Sequence, residues 1–129
     1  MMNTPHPLTY MFIRYCVNRA YSRLIYGYKE NDANVMYSID TIVDELRDAE
    51  QGFKTLDDVV KFLNGEFLAI YERAVNALKP ELAKSIFLSI LDNCMELDYV
   101  KNDPSIVGLI NDVKARMNSI KPKATGGEG

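Results

Sequence analysis

Three carboxylates on a four-residue step, Asp40, Asp44 and Asp48, are the residues best spaced to do chemistry in this 129-residue chain. On a helix that step sets them on one face, where they would hold a hard cation such as Mg²⁺. They also lie opposite the apolar stripe of their own segment, so a solvated polar face accounts for them, and that reading is adopted. The single histidine, His6, stands between Pro5 and Pro7 in what reads as a frayed N-terminal stretch. There it is a poor base and half a metal site at best. Cys16 and Cys94 sit among apolar residues at helical spacing and read as free core thiols. A disulfide between them is the alternative, which spacing does not decide. No Cys-x-x-Cys, His-Glu-x-x-His or Glu-x-x-His spacing occurs, and no glycine-rich loop precedes a helix. The serines and cysteines lack a base visible in the sequence. Lys101-Asn102-Asp103 lacks the alternating oxygen ligands of a calcium loop. The residues therefore predict no catalytic group, no metal and no cofactor, and a protein that is not an enzyme.

A different pattern suggests binding. Phe12, Tyr15, Arg19, Arg23 and Tyr26 recur at helical steps, with Leu8, Met11 and Ser22 at the margins. They lie opposite the expected core face of the same helix. Tyrosine, phenylalanine, methionine and arginine are the types enriched at protein interfaces. This stripe is the expected partner-binding surface, for another protein, a peptide segment or a second copy of the chain. The competing reading places the first helix in the middle of the fold, with the fifth covering the stripe. Arginine interleaved with aromatics also suits stacking on single-stranded nucleic acid, but a net charge of −3 argues against that.

Helices must position all of these residues. Pro5 and Pro7 start the first at about Pro7, because proline fits a first turn and fails inside a helix. Its core face is counted as Tyr10, Ile13, Val17, Ala20, Leu24 and Tyr28. A polar turn at Lys29-Glu30-Asn31 precedes a second helix from about Asp32 to Gln51, striped by Val35, Ile39, Ile42, Val43, Leu46 and Ala49. Gly52 follows where a left-handed cap is expected. The third helix opens at Thr55, which can cap it, with Asp57 and Asp58 at the positive end of its dipole. It is expected to run through Phe67, Tyr71 and Ala74 to Leu78 as one piece. Gly65 sits inside it, at roughly 1 kcal/mol against alanine, and reads as the mark of a close helix crossing. Pro80 begins a fourth helix that is apolar on two sides, through Ile86, Phe87, Ile90 and Cys94 and through Leu88, Leu91 and Met95. Such a helix is expected at the centre. Asp103-Pro104 begins a fifth, carrying Ile106, Leu109, Ile110, Val113, Met117 and Ile120.

The expected fold class is all-α: an antiparallel up-down helical bundle of four to five helices, with short connections throughout. Residues 1–120 form one domain and 121–129 a flexible, glycine-containing tail. No apolar run approaches the ~20 residues needed to cross a bilayer. The start, Met1-Met2-Asn3-Thr4-Pro5, has no basic stretch followed by an apolar one, so no signal peptide is expected. With free thiols, these features predict a cytoplasmic protein with no membrane partner. Charge is uneven: Arg14, Arg19, Arg23 and Lys29 are the only charged side chains up to Lys29, and acids dominate from Glu30 to Asp58. The simplest account docks the first helix beside the acidic ones.

The stretch Thr4-Pro5-His6-Pro7-Leu8-Thr9-Tyr10-Met11 resembles the opening of the flagellin export chaperones of the FliS family, which read Ser/Thr-Pro-x-x-Leu-x-x-Met into a first long helix. Ile42-Val43-Asp44-Glu45-Leu46 is similar to the end of that family's second helix. Phe67-Leu68-Ala69-Ile70-Tyr71-Glu72-Arg73-Ala74 keeps part of its third-helix pattern. The last helix, Pro104 to Ile120, is an addition. The resemblance implies a cytoplasmic antiparallel four-helix bundle that holds the disordered end of flagellin until export. Leu8 and Met11 are the only matched positions to which it gives a part, either in binding or in the core.

Three functions follow as expectations. The first is a small chaperone or adaptor holding an amphipathic or disordered segment in a helix groove, and its sign is an apolar groove left open. The second is a small regulatory or inhibitor protein of phage or mobile-element type, docking on a larger enzyme or nucleic-acid complex. Its sign is a flat patch joining the first helix's arginines to the second helix's acids. The third is a homo-oligomeric structural protein, with a two-fold contact through the first helix.

Overall fold

The computed structural model describes residues 5–27 and 33–122. Among them every regular element is helical, so the protein is all-α. The turn expected at Lys29-Glu30-Asn31, the core place expected for Tyr28, the start expected at Asp32 and residues 123–129 of the expected tail lie outside the described residues.

Helix α1 spans residues 8–27. Its first free amide, on Leu8, donates to His6 Nδ1 at 3.0 Å, and the Thr9 hydroxyl donates to the His6 carbonyl at 2.7 Å. The His6 ring also stands edge-on to Tyr99, with centroids 5.5 Å apart. The histidine is thus a helix cap held against the body of the protein, not part of a frayed end.

Through Phe12–Val17 the helix widens to π geometry, and the Asn18 amide reaches the Ile13 carbonyl five residues back. A wider turn holds more residues, so the buried side repeats every fourth residue at Leu8, Phe12 and Cys16, with Ile13, Val17 and Ala20 beside them. The face counted at 3.6 residues per turn is rotated as a result. Tyr10, expected in the core, is 42% exposed, while Phe12, expected on the partner surface, is 0% exposed.

Helix α2, Ala33–Asp48, buries Ile39, Ile42, Val43 and Leu46 as its stripe predicts. It closes in a tight 3₁₀ turn, Ala49–Gly52, where the Phe53 amide donates to the Glu50 carbonyl at 3.0 Å. Gly52 is not a left-handed cap, because no described glycine has a positive φ.

The expected third helix is two: α3, Leu56–Asn64, and α4, Glu66–Ala77. Gly65 separates them with φ −129° and ψ −85°, outside the helical region. It marks a break and not a close crossing, since a side chain there would meet only the Lys61 carbonyl, at 3.4 Å. The break changes which side of the chain faces inward. Val59, Phe62 and Leu63 are buried before it, and Phe67, Ile70, Tyr71, Ala74 and Val75 after it.

Helix α5, Pro80–Cys94, carries proline in its first turn as expected. It packs against the π turn and the second half of α1, against α4 and against the last helix, which explains its two apolar sides. A short helix α6, Asp98–Lys101, was not separable in the sequence. Helix α7 is Pro104–Ser119. Lys121 and Pro122, expected in the tail, line a shallow depression with Tyr71, Val75, Met117 and Ile120.

The core is threaded by aromatic rings. Phe12 meets Phe53, Phe62 and Phe67 edge-on at 6.1, 5.9 and 6.1 Å. Phe67 continues to Phe87 at 5.1 Å, and Phe87 to Tyr71 at 5.2 Å. Cys16 and Cys94 are free, buried thiols that hydrogen-bond to each other across α1 and α5. Burial, and then that bond, push the Cys94 thiol well above its ordinary range.

Two N-caps set the acid response. Asp58 accepts the amides of Lys54 and Thr55 at 2.9 and 3.0 Å, while the Thr55 hydroxyl accepts the Asp58 amide at 3.4 Å, closing a capping box. Asp103 accepts the Ser105 hydroxyl at 2.7 Å and the amides of Ser105 and Ile106 at 3.0 and 3.4 Å. The amides of Lys54 and Thr55 hold the Asp58 carboxyl below its usual range, and the Ser105 hydroxyl, with the amides of Ile106 and Ser105, does the same for Asp103. Both groups bind their proton more weakly folded than unfolded. Their contribution is therefore complete above the unfolded value of roughly pH 4 and is lost as pH falls through the lowered folded values. Melting temperature against pH should drop along an acid limb below roughly pH 4. In the double variant Asp58→Asn, Asp103→Asn that limb should be shallower, and an unchanged limb would show that other carboxylates govern it.

Candidate protein-binding surface

The five residues expected to bind a partner divide three ways. Phe12 lies at the centre of the core, for the reason the π turn supplies, and is corrected from surface to interior. Tyr15, Arg19 and Arg23 gather at the junction of α1 with the end of α5. The Tyr15 hydroxyl donates to Glu96 Oε1 at 2.7 Å, and that bond, with burial second, raises its pKa. Arg19 lies over the Tyr15 ring at 5.4 Å and pairs with Glu96 at 3.5 Å. Arg23 donates to Asn93 Oδ1 at 2.9 Å and stands 3.9 Å from Glu96. Tyr26 alone stands in the open, at 88% exposure.

Beneath this cluster Asn93 is 0% exposed, and its amide donates to the Cys16 carbonyl at 3.1 Å. Asn93 thus ties the π turn of α1 to α5 through the Cys16 carbonyl. The arginines are therefore bound to a structural joint. Their ion pairs run to Glu96 and not to the acids of α2. Helix α1 does dock beside α2, but through Tyr21 to Asp40 and Arg47 to Asn18. Asp40 and Asp44 are engaged by Tyr21 and Arg47, and Asp48 is exposed. Among the described residues no group of three or more His, Cys, Asp or Glu is arranged to hold a metal ion. Nor is any described helix long and apolar enough to cross a membrane.

An open groove runs instead between α2 and α4. Tyr37, Ser38, Thr41, Ile42 and Glu45 line one side, and Ile70, Arg73 and Ala77 the other. Ile42 and Ile70 give it an apolar floor, and Tyr37 stands at its edge, 74% exposed. Arg73 bridges Glu45 at 2.6 Å and Glu66 at 3.6 Å, closing one stretch with an ion-pair network. The Glu45 contact, outweighing burial, raises the Arg73 pKa, so the guanidinium stays charged. The groove encloses about 200 Å³. That is below the range of cofactor and drug-sized pockets and suits an inserted side chain or two.

No local spacing singles out this surface. Ile42 and Ile70 are both buried, and Tyr37 is the one outward signal, a large aromatic off the apolar stripe of α2. The class that fold and surface define is therefore an all-α fold with an open, largely apolar groove between α2 and α4. No family model, curated protein or solved structure matches the chain.

Proposed function

We propose that this protein is a small chaperone or adaptor that holds an amphipathic or disordered segment of a partner protein in the α2–α4 groove. The open groove, with its Ile42 and Ile70 floor and exposed Tyr37, supports this reading most directly. Peptide segments dock on helical domains by laying apolar anchors into such grooves, and tyrosine is a frequent edge residue because it adds contact area at small entropic loss. On the FliS resemblance, the segment held is the disordered end of an export substrate.

Filling the groove is the test. Ala77 is exposed on the rim, so Ala77→Trp adds bulk over the floor without entering the core. Captured from its native cells, the parent protein should bring down a stoichiometric protein partner that survives nuclease, and Ala77→Trp should lose it. A partner retained equally by both chains would remove the groove from the function. Recovery of the chain's own copies alone would replace the adaptor with a homo-oligomer.

A further inference from the structure

We propose that the depression between α4, the start of α5 and the end of α7 binds a small organic acid, a carboxylate carried on one ring or a short branched chain. The site is separate from the α2–α4 groove and does not depend on the function proposed for it. Helix α4 is the wall between the two, with Ile70, Arg73 and Ala77 on the groove side and Tyr71 and Val75 on this one.

Tyr71 supplies the decisive polar group. The residue is 2% exposed, and its ring packs on Phe87. Its hydroxyl makes no hydrogen bond with any described residue, and burial raises its pKa, so it keeps its proton at neutral pH and remains a donor. Among the described residues the Tyr99 hydroxyl is the one fully sealed side-chain polar atom without a partner. The Tyr71 hydroxyl, also without one, is therefore not sealed in: it opens into the depression that its side chain lines. A donor taken from bulk water and left unpaired at the floor of a recess is set for an acceptor from outside.

The surroundings select a charged acceptor. Lys84 and Lys121 line the same depression, and neither is ion-paired with a described residue. Glu81 is the one carboxylate of the lining, outnumbered by the two lysines. Pro80 and Glu81 also bring the first turn of α5 to the edge, where the N-cap residue makes no side-chain bond, so the positive end of the helix dipole adds to the potential there. Val75, Met117 and Ile120 supply apolar wall, which a bare inorganic anion would leave wet. The depression encloses about 180 Å³, below the drug-sized range, so the apolar body of the ligand is compact.

Amide NMR of the full, isotope-labelled chain tests this with benzoate as the probe, against benzamide, its neutral counterpart, and inorganic phosphate. Circular dichroism first confirms the fold of each variant. Benzoate should give saturable shifts at residues 71–84 and 117–122, with residues 37–45 unmoved, and should bind more tightly than either comparison compound. Tyr71→Phe, which keeps the ring against Phe87, should weaken benzoate roughly tenfold. The double variant Lys84→Gln, Lys121→Gln should weaken it roughly fivefold and remove most of its salt dependence. Benzamide or phosphate binding as tightly as benzoate would overturn the proposal, as would Tyr71→Phe binding as tightly as the parent. Shifts centred on residues 37–45, or no saturable shift at all, would overturn it equally.

Discussion

Phe12→Ala is expected to lower the stability of the chain by about 3–5 kcal/mol, the range for deleting a fully buried aromatic ring. The ring is 0% exposed and touches Phe53, Phe62 and Phe67, which come from the segment before α3, from α3 and from α4. Removing it empties the point where α1 meets both halves of the broken third helix, and these elements cannot all close the same void. Domains of this size hold roughly 5–15 kcal/mol in total, so the loss takes a large share of it. Phe12→Asp adds a buried, unpaired carboxylate and should leave no folded population. Tyr26→Asp, at the far end of the same sequence stripe, should change stability by no more than about 0.5 kcal/mol. Urea denaturation followed by circular dichroism separates these outcomes. A Phe12→Ala midpoint close to that of the parent would mean that the ring is not in the core, and would restore the stripe as a surface.

Asn93→Leu should cost about 2–3 kcal/mol, near the upper end of the penalty for leaving a buried polar group without its partner. The substitution keeps the number and branching of the side-chain heavy atoms but removes the donor to the Cys16 carbonyl and the acceptor for Arg23. Arg23→Ala should lose less than about 1 kcal/mol, because that side chain is half exposed and its ion pair is screened by solvent. The order of the two effects distinguishes the joint from the ion pairs that cover it. Hydrogen exchange gives the local reading. Amides of Phe12–Val17 should lose protection in Asn93→Leu while those of α7 keep theirs. If Arg23→Ala were the worse variant, the arginine cluster and not the asparagine would be holding α1 to α5.

The parts of the fold legible in the sequence are those governed by neighbours within a turn or two. The main stripe of α2, the Thr55 cap, proline at the start of α5 and the Asp103-Pro104 start of α7 all depend on such spacings, and all stand as expected. A fixed period of 3.6 residues misplaces the faces of α1 because its turn widens at Phe12–Val17. The run Leu8, Phe12, Cys16, Ala20 carries the four-residue step that marks the widening. His6 has no partner visible in the sequence as a ligand or a base, and its bond to the Leu8 amide needs neither role. Gly65 reads as an interior helical residue because apolar residues at helical spacing continue on both sides of it, through Leu63 and Phe67. The groove was out of reach for another reason. It pairs residues 37–45 with residues 70–77, and no local periodicity specifies which helix faces will meet or whether a gap is left between them. The FliS resemblance rests on the residues that carry it, chiefly Leu8 and Met11, and of these Leu8 is buried at the head of α1.

Site-specific photocrosslinking tests the central claim most directly. A benzophenone amino acid placed at Tyr37, on the edge of the groove, is compared in native cells with the same residue at Asp112, exposed on α7. The groove reading predicts one dominant adduct from position 37, formed with a different protein, absent from position 112 and removed by Ala77→Trp. Equal adducts from both positions, or an adduct from position 37 that persists when the groove is filled, would contradict it.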